Sequence, residues 1–293
     1  MFLMRLVVIL ATCGRKVLLN QLLEHLEQQT RLPDEVVISA PDQTHVSPYQ
    51  AKRLNITYLY GKRGLPAQRN LGLDHVLDKS DAITFFDDDF LPGIDYLERL
   101  EAAFEDNDNW AVITGNVVSD GATGPGFSFA EGEWILRKAE AAAPLKEKVT
   151  MCYGAYGCNM SMRTACIDKT RFDERLPLYG WQEDIDFTSQ LASCGDIVEL
   201  NTLLGVHLGI KLGRVSGVRF GYSQLINPVY LIRKGTMPVG RGTKLIGRNI
   251  LANIARSFWP EPYIDRRGRL FGNLLAFFHL FRGRIEPEYV LKL

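Results

Sequence analysis

Apolar positions along the chain alternate between two periods. Leu6–Ala11 is a continuous aliphatic and β-branched run, which predicts a strand buried on both faces. Leu18, Leu19, Leu22, Leu23 and Leu26 then recur at helical spacing and predict an amphipathic helix that ends before Pro33. Glu35–Ser39 and Ile56–Tyr60 read as further strands, Pro66–Leu77 as a helix with Leu71, Leu73, Val76 and Leu77 as its apolar positions, and Ala82–Phe86 as a short buried strand. Tyr96–Phe104 returns to the helical period and Trp110–Thr114 to the strand period. This β-α-β-α-β order predicts an α/β fold with a mostly parallel central sheet and helices on both faces. In such sheets ligands bind beyond the carboxyl ends of the strands, and Asp87–Asp89 falls at such an end.

Composition adds one feature that the pattern hides. The 293 residues carry 34 Lys+Arg and 34 Asp+Glu, are 46% hydrophobic and 23% charged, and so describe an ordinary folded chain rather than a disordered or collagen-like one. The balance is local, however: residues 1–208 carry a net −11 and residues 209–293 a net +11. We therefore expect an acidic body over 1–208 and a basic, mainly helical extension over 209–293. Basic segments favour anionic partners, although a solvated helical surface has the same composition. Cys13, Cys152, Cys158, Cys166 and Cys194 are odd in number and irregular in spacing, which predicts free thiols in a reducing compartment and no structural zinc. The apolar run of Met1–Cys13 flows into Gly14-Arg15-Lys16 without a cleavage signal and reads as a strand. The longest later run, Leu270–Phe281, is interrupted by Gly272, Asn273 and His279, so no membrane-spanning helix is expected. Gly121–Gly126 reads as a surface loop.

Two acidic clusters carry the candidate chemistry. In Phe85-Phe86-Asp87-Asp88-Asp89, three adjacent carboxylates are costly to crowd at a buried strand end unless a cation compensates them. Mg²⁺ or Mn²⁺ would supply that compensation and share its shell with substrate phosphates. An acidic turn or helix cap before Pro92 accounts for the same run. The second cluster, Trp181-Gln182-Glu183-Asp184-Ile185-Asp186-Phe187, suits a helix start, where carboxylates cap free N–H groups, and equally a general base beside an aromatic wall. His207 follows a strand-like run and could complete a metal shell, though a lone histidine is also an ordinary hydrogen-bonded residue. The chain lacks GxGxxG after its first strand, GxxxxGK[ST], HExxH and GxSxG, which disfavours dinucleotide, P-loop, zincin and serine-hydrolase chemistry.

Taken in order, Val7–Arg15 (VVILATCGR), Gly64–Gly72 (GLPAQRNLG), FFDDDF, Gly157-Cys158-Asn159-Met160 and Gly180–Phe187 resemble the motifs of the inverting family 2 glycosyltransferases, which have the GT-A fold. The resemblance covers roughly residues 5–208. It implies that Thr12, Arg15 and Arg69 lie around the nucleotide base, that Asp87 meets the ribose, and that Asp88 borders the nucleotide. Asp89 would bind a divalent cation with His207 as partner, Asp184 would be the base with Glu183 beside it as the alternative, and Asn159 and Trp181 would face the acceptor. The family's second strand ordinarily ends in an Asp-Asp-Gly-Ser type run. Here it reads Ile38-Ser39-Ala40-Pro41-Asp42, so the base-contacting aspartate is either missing or shifted to Asp42. The implied activity is metal-dependent transfer of a sugar from a nucleotide-sugar donor, with UDP as the expected nucleotide, to a carbohydrate or lipid-linked acceptor in polysaccharide or glycolipid synthesis. The rivals are a nucleotidyltransferase and a non-catalytic membrane-associated binding module.

The basic extension contains one further pattern. Lys244–Trp259 places Leu245, Ile246, Ile250, Leu251, Ile254, Phe258 and Trp259 at helical spacing among Lys244, Arg248 and Arg256. Such a helix suits an anionic bilayer interface, with Phe271–Phe281 extending the surface. A helix packed on the catalytic body has the same pattern. We expect a cytoplasmic protein, peripheral on the inner membrane's cytoplasmic face, and no nucleic-acid partner, because no aromatic-and-basic recognition module occurs.

Overall fold

Buried alternation in the first strand organises the molecule. The computed structural model describes residues 4–142, 146–211 and 216–293. In β1 (Leu6–Ala11), Leu6, Val8 and Leu10 face one side and pack with Leu19, Leu22, Leu23 and Leu26 of α1 (Lys16–Leu26). Val7 and Ile9 face the other side and pack with Leu73 and Val76 of α2 (Leu65–Val76). Period-two alternation in one strand thus dictates a helix on each face of the sheet. Each of these fully buried aliphatic side chains contributes about 1.5–3 kcal/mol relative to exposure.

β1 lies between β2 (Glu35–Ala40) and β4 (Ala82–Asp87), with β3 (Ile56–Tyr60) outside β2, all parallel. Beyond β4 the sheet continues with β8 (Asn159–Arg163), β6 (Trp110–Asp120), β9 (Asp196–His207) and β5 (Phe90–Pro92), while β7 (Val149–Met151) pairs with β9. Strands β5, β7 and β8 run against the other six, so the sheet of nine described strands is mostly parallel, as expected. The helix at Tyr96 is α3 (Tyr96–Asp106), which buries Leu97, Leu100 and Phe104, and α4 (Phe129–Glu140) follows β6.

The structure corrects one expectation and adds detail to two others. Cys166 and Cys194 form a disulfide, with Cα atoms 5.5 Å apart. Their 28-residue separation conceals that the turn after β8 and the turn before β9 meet in space. The buried face of α2 includes Gln68, Arg69 and Asn70, whereas Leu71 and Leu77 are only half-buried. Gly121–Gly126 lies at the surface, with Thr123 and Pro125 exposed, but it is closely packed at its start. A Cβ on Gly121 would lie 2.0 Å from the Leu208 carbonyl oxygen, and one on Gly209 would lie 2.1 Å from the Gly121 carbonyl carbon. Glycine is required there because two backbone segments touch.

The extension is helical: α6 (Gly217–Lys234), α7 (Val239–Ser257) and α8 (Arg266–Phe281). Buried Asn253 of α7 donates to Gln224 of α6 at 2.8 Å and to Asn273 of α8 at 2.9 Å, which ties the three helices together. The layer also docks on the body. Asn227 donates to the Trp181 carbonyl at 2.9 Å, and Lys234 bonds Asp186 at 2.7 Å and Asp173 at 2.8 Å. Among the described residues, no helix is long and apolar enough to cross a membrane.

Candidate active site

The carboxyl ends of β1 and β4 are adjacent, which brings Thr12 and Arg15 onto the acidic run. The Thr12 hydroxyl donates to Asp88 at 2.6 Å, and Arg15 donates to the other oxygen of Asp88 at 2.8 Å. Arg15 also lies 3.3 Å from Asp89. After Asp87 the chain turns directly into β5, and the next helix starts only at Tyr96, so the aspartates do not cap a helix. Burial pushes the Asp88 carboxyl up to about 6, with Arg15 only partly offsetting it and Asp89 adding repulsion. Burial acts on Asp89 in the same sense, but hydrogen bonding and charge from His207, the Arg15 charge and the Ile210 N–H outweigh it and hold that carboxyl near 2.

β5 pairs with β9 so that Phe90 lies opposite His207, which sets His207 beside the acidic turn. The imidazole Nε2 is 3.4 Å from Asp89, and its Nδ1 is 2.9 Å from Asp120 at the end of β6. Asp120 also accepts from the Tyr156 hydroxyl at 3.0 Å. A carboxylate behind Nδ1 fixes the ring and leaves Nε2 facing the aspartates, the usual support for a metal-binding histidine. One donor atom each from Asp87, Asp89 and His207 lie within 4.8 Å of one another. Two carboxylate oxygens and one imidazole nitrogen at that spacing fit a divalent cation such as Mn²⁺. Carboxylates lifted by burial and mutual repulsion fit it as well, since a cation would compensate their charge.

The second acidic cluster opens α5 (Glu183–Gln190) on the same side of the sheet. Arg69, fully buried on α2, joins the clusters: it donates to Asp87 at 2.8 Å, to the Gly157 carbonyl at 2.7 Å, and to Glu183. Glu183 is thereby committed to an internal pair. Burial, with repulsion from Asp184 and Asp87, pushes its carboxyl up to about 8 despite Arg69. Asp184 is more accessible. It accepts from the Gly157 N–H at 2.9 Å and the Ile185 N–H at 2.8 Å, and burial raises its pKa against those two bonds and the Arg69 charge. A Cβ on Gly157 would sit 3.0 Å from that carboxylate, so glycine allows the close approach. Gln182, immediately before the pair, has φ +74, a left-handed backbone that turns the cluster into the cleft.

Asp87, Asp184, Glu183, Arg69, Trp181 and His207 line one open cleft of about 790 Å³. Asp89 stands directly behind His207. Thr12, Arg15 and Asp88 bond one another beside this wall without lining the cleft. The sequence candidates are therefore contiguous, with two exceptions. Asn159 is fully buried within the sheet, where it accepts from Thr114 at 2.7 Å and donates to the Gly115 carbonyl at 3.0 Å, so it does not face an acceptor. Its neighbours Gly157 and Cys158 line the cleft instead. Asp42 lies outside that cleft wall. It is exposed and caps a short turn by accepting from the Thr44 N–H at 2.7 Å. Asp120, Tyr156 and the basic face of α7 were not singled out as cleft residues in the sequence. Asp120 had a weak signal, a carboxylate ending a strand beside a glycine, whereas Tyr156 had none.

The comparisons with known proteins agree with this geometry. The model described as Glycosyl transferase family 2 matches residues 7–168. S. aureus TarS 1–349 in complex with UDP-GlcNAc is similar in structure at TM-score 0.58 and 14% identity, over 98% of this chain and 83% of that one. The mannosyltransferase PcManGT from Pyrobaculum calidifontis in complex with GDP-Man and Mn²⁺ is similar at TM-score 0.54 and 15% identity, over 99% and 86%. A longer S. aureus TarS structure aligns over 87% of this chain at TM-score 0.53 and 17% identity, and this chain spans 44% of it. No curated protein matches the sequence at a meaningful level.

Proposed function

Because the chain belongs to glycosyl transferase family 2 and has the GT-A fold, we propose that it transfers a sugar from a nucleotide-diphosphate donor to an acceptor hydroxyl, with inversion. The observation that carries this reading is the convergence of Asp87 and His207 with Asp184 on one cleft, with Asp89 beside His207 and within reach of the same cation. Solved relatives of the same fold hold UDP-GlcNAc in one case and GDP-Man with Mn²⁺ in the other, which supports a nucleotide-sugar donor. We assign UDP as the nucleotide. Residues 1–208 form the catalytic unit in this reading, and 209–293 complete its cleft.

Asp89 and His207, with Asp87, would hold the cation, and Asp120 keeps His207 oriented toward it. When bound, a divalent cation stabilises the negative charge that develops on the diphosphate leaving group. Thr12 and Arg15 fix Asp88 at the nucleotide edge. Arg69 fastens Asp87 to the Gly157 carbonyl, while the Gly157 N–H holds Asp184, so donor-side and acceptor-side carboxylates keep their separation. Asp184, with its raised pKa, removes the proton from the attacking hydroxyl, and Trp181 forms the wall beside it. The internal pair of Glu183 with Arg69 favours Asp184 over Glu183 as the base.

We place this reaction at an anionic membrane surface, in polysaccharide or glycolipid synthesis. Leu251, Phe258 and Trp259 of the α7 region and Phe271, Leu274 and Phe281 of α8 are exposed, with Trp259 at 82% and Phe281 at 94%. They belong to the segment of net charge +11. Aromatic side chains among cations suit a headgroup interface. The test of the reaction itself is product analysis with UDP-sugars and Mn²⁺. Free UDP together with a glycosylated acceptor is expected; no such transfer, with pyrophosphate released instead from UTP and a sugar 1-phosphate in a parallel incubation, would identify a nucleotidyltransferase.

A further inference from the structure

The sequence pattern assigns Lys244 and Arg248 to a bilayer-facing helix, but both line the cleft. Arg241, Lys244, Leu245 and Arg248 occupy one stripe of α7, at the i, i+3, i+4 and i+7 spacing of a single helix face, and that stripe forms a wall of the same cavity as Asp184 and Trp181. Toward its end α7 exposes Leu251 and Ile254, followed by Phe258 just beyond it, on a different, neighbouring stripe. The helix therefore turns a cationic face to the cleft and an apolar face outward.

These cations have no acid on their own helix. Residues 239–257 contain no Asp or Glu, and none of the three has a carboxylate partner among the described residues. Arg241 is seated over the Tyr153 ring, 4.9 Å from its centroid, and the Tyr153 hydroxyl is itself anchored to the Thr236 carbonyl at 2.6 Å. The contrast with the nucleotide side is sharp: Arg15 is matched by Asp88 and Asp89, and Arg69 by Asp87 and Glu183. Three uncompensated cations on one wall of a concave site attract an anionic ligand and raise its local concentration.

Resting on the glycosyltransferase reading, we propose that the acceptor itself is anionic, carrying a phosphate ester that Arg241, Lys244 and Arg248 grip while its hydroxyl meets Asp184. Arginine suits this task by bidentate donation to phosphate oxygens, and lysine by point charge. The position of the stripe, between Asp184 and the outward apolar face, also suits a phosphate that joins a lipid to a head group.

The experiment uses the full chain saturated with UDP and Mn²⁺, so that the donor site is filled before the probe is added. Glucose 6-phosphate serves as the soluble anionic probe, glucose as its neutral control, and phosphatidylglycerol vesicles diluted in phosphatidylcholine as the membrane arm. We expect glucose 6-phosphate to bind at least tenfold more tightly than glucose. Lys244→Gln/Arg248→Gln should remove that preference and leave UDP affinity within about twofold. Loss of vesicle binding in the same variant would assign the phosphate to a lipid head group; loss confined to glucose 6-phosphate would assign it to a soluble acceptor. Both outcomes support the subsite. An unchanged preference for glucose 6-phosphate would overturn it, and so would a parallel fall in UDP affinity, which would give these cations to the donor. Failure of the glycosyltransferase reading is recognised separately, as absence of UDP binding by the unmodified protein.

Discussion

Replacing Asp120 by Asn tests whether a residue outside the acidic run governs the cation site. The substitution preserves shape and leaves Asp87, Asp89 and His207 untouched. It removes the charge 2.9 Å behind His207 Nδ1 and weakens the partner of the Tyr156 hydroxyl. His207 is nearly buried, and its described side-chain contacts at Nδ1 are Asp120 and Tyr156. An amide in place of the carboxylate therefore both lowers the basicity of Nε2 and permits the wrong ring tautomer. Loss of such a supporting carboxylate costs about 10- to 100-fold in metal affinity, equivalent to about 1.4–2.7 kcal/mol. The assay is calorimetric titration of Mn²⁺ into protein with saturating UDP, with Tyr156→Phe as the control that leaves the carboxylate in place. Asp120→Asn should shift the Mn²⁺ affinity by that factor and Tyr156→Phe by much less. If Asp120→Asn binds Mn²⁺ as tightly as the unmodified protein and melts at the same temperature, His207 does not belong to the cation site and the argument fails.

Two further predictions concern the buried charges that hold the cleft together. Arg69→Met leaves Asp87 and Glu183 without their shared guanidinium and should cost about 3–5 kcal/mol, read as a lowered denaturation midpoint in guanidinium; unchanged stability would mean that the cluster is solvated. Glu183 rises from its ordinary 4.5 to about 8 on folding, chiefly through burial, so the folded state holds that proton more tightly. Its contribution to stability is complete below about pH 4.5 and is lost as pH rises to about 8. Glu183→Gln should flatten the stability profile across that window, and an unaltered slope would refute the assignment.

The parts of this molecule legible in its sequence are those fixed by short-range pattern. Leu6–Ala11 declared a doubly buried strand because no polar residue interrupts it, and the structure puts helices on both its faces. The acidic runs were visible because like charges crowd without a local counterion. What remained hidden depends on segments that meet only in the fold. The motif resemblance singles out Arg69 beside the nucleotide, but no local pattern shows that it is fully buried between two carboxylates, one of them 114 residues away. Cys166 and Cys194 are an unremarkable pair until two turns bring them together. Asn159 lies in a motif-like segment, but its amide is consumed by Thr114 and Gly115 inside the sheet. On α7, hydropathy spacing located the helix correctly, but it could not say which stripe faced the cleft, because the neighbouring wall comes from α5 and the segment before it.

The central claim is that Asp184 acts as base toward a hydroxyl in a cleft that also holds a nucleotide-sugar. Single-turnover transfer by Asp184→Asn, measured beside UDP-sugar affinity in the same preparation, tests it most directly. The account expects donor affinity close to that of the unmodified protein and a transfer rate about 10²- to 10⁴-fold lower. Transfer at the unmodified rate, with the donor bound normally, would contradict it.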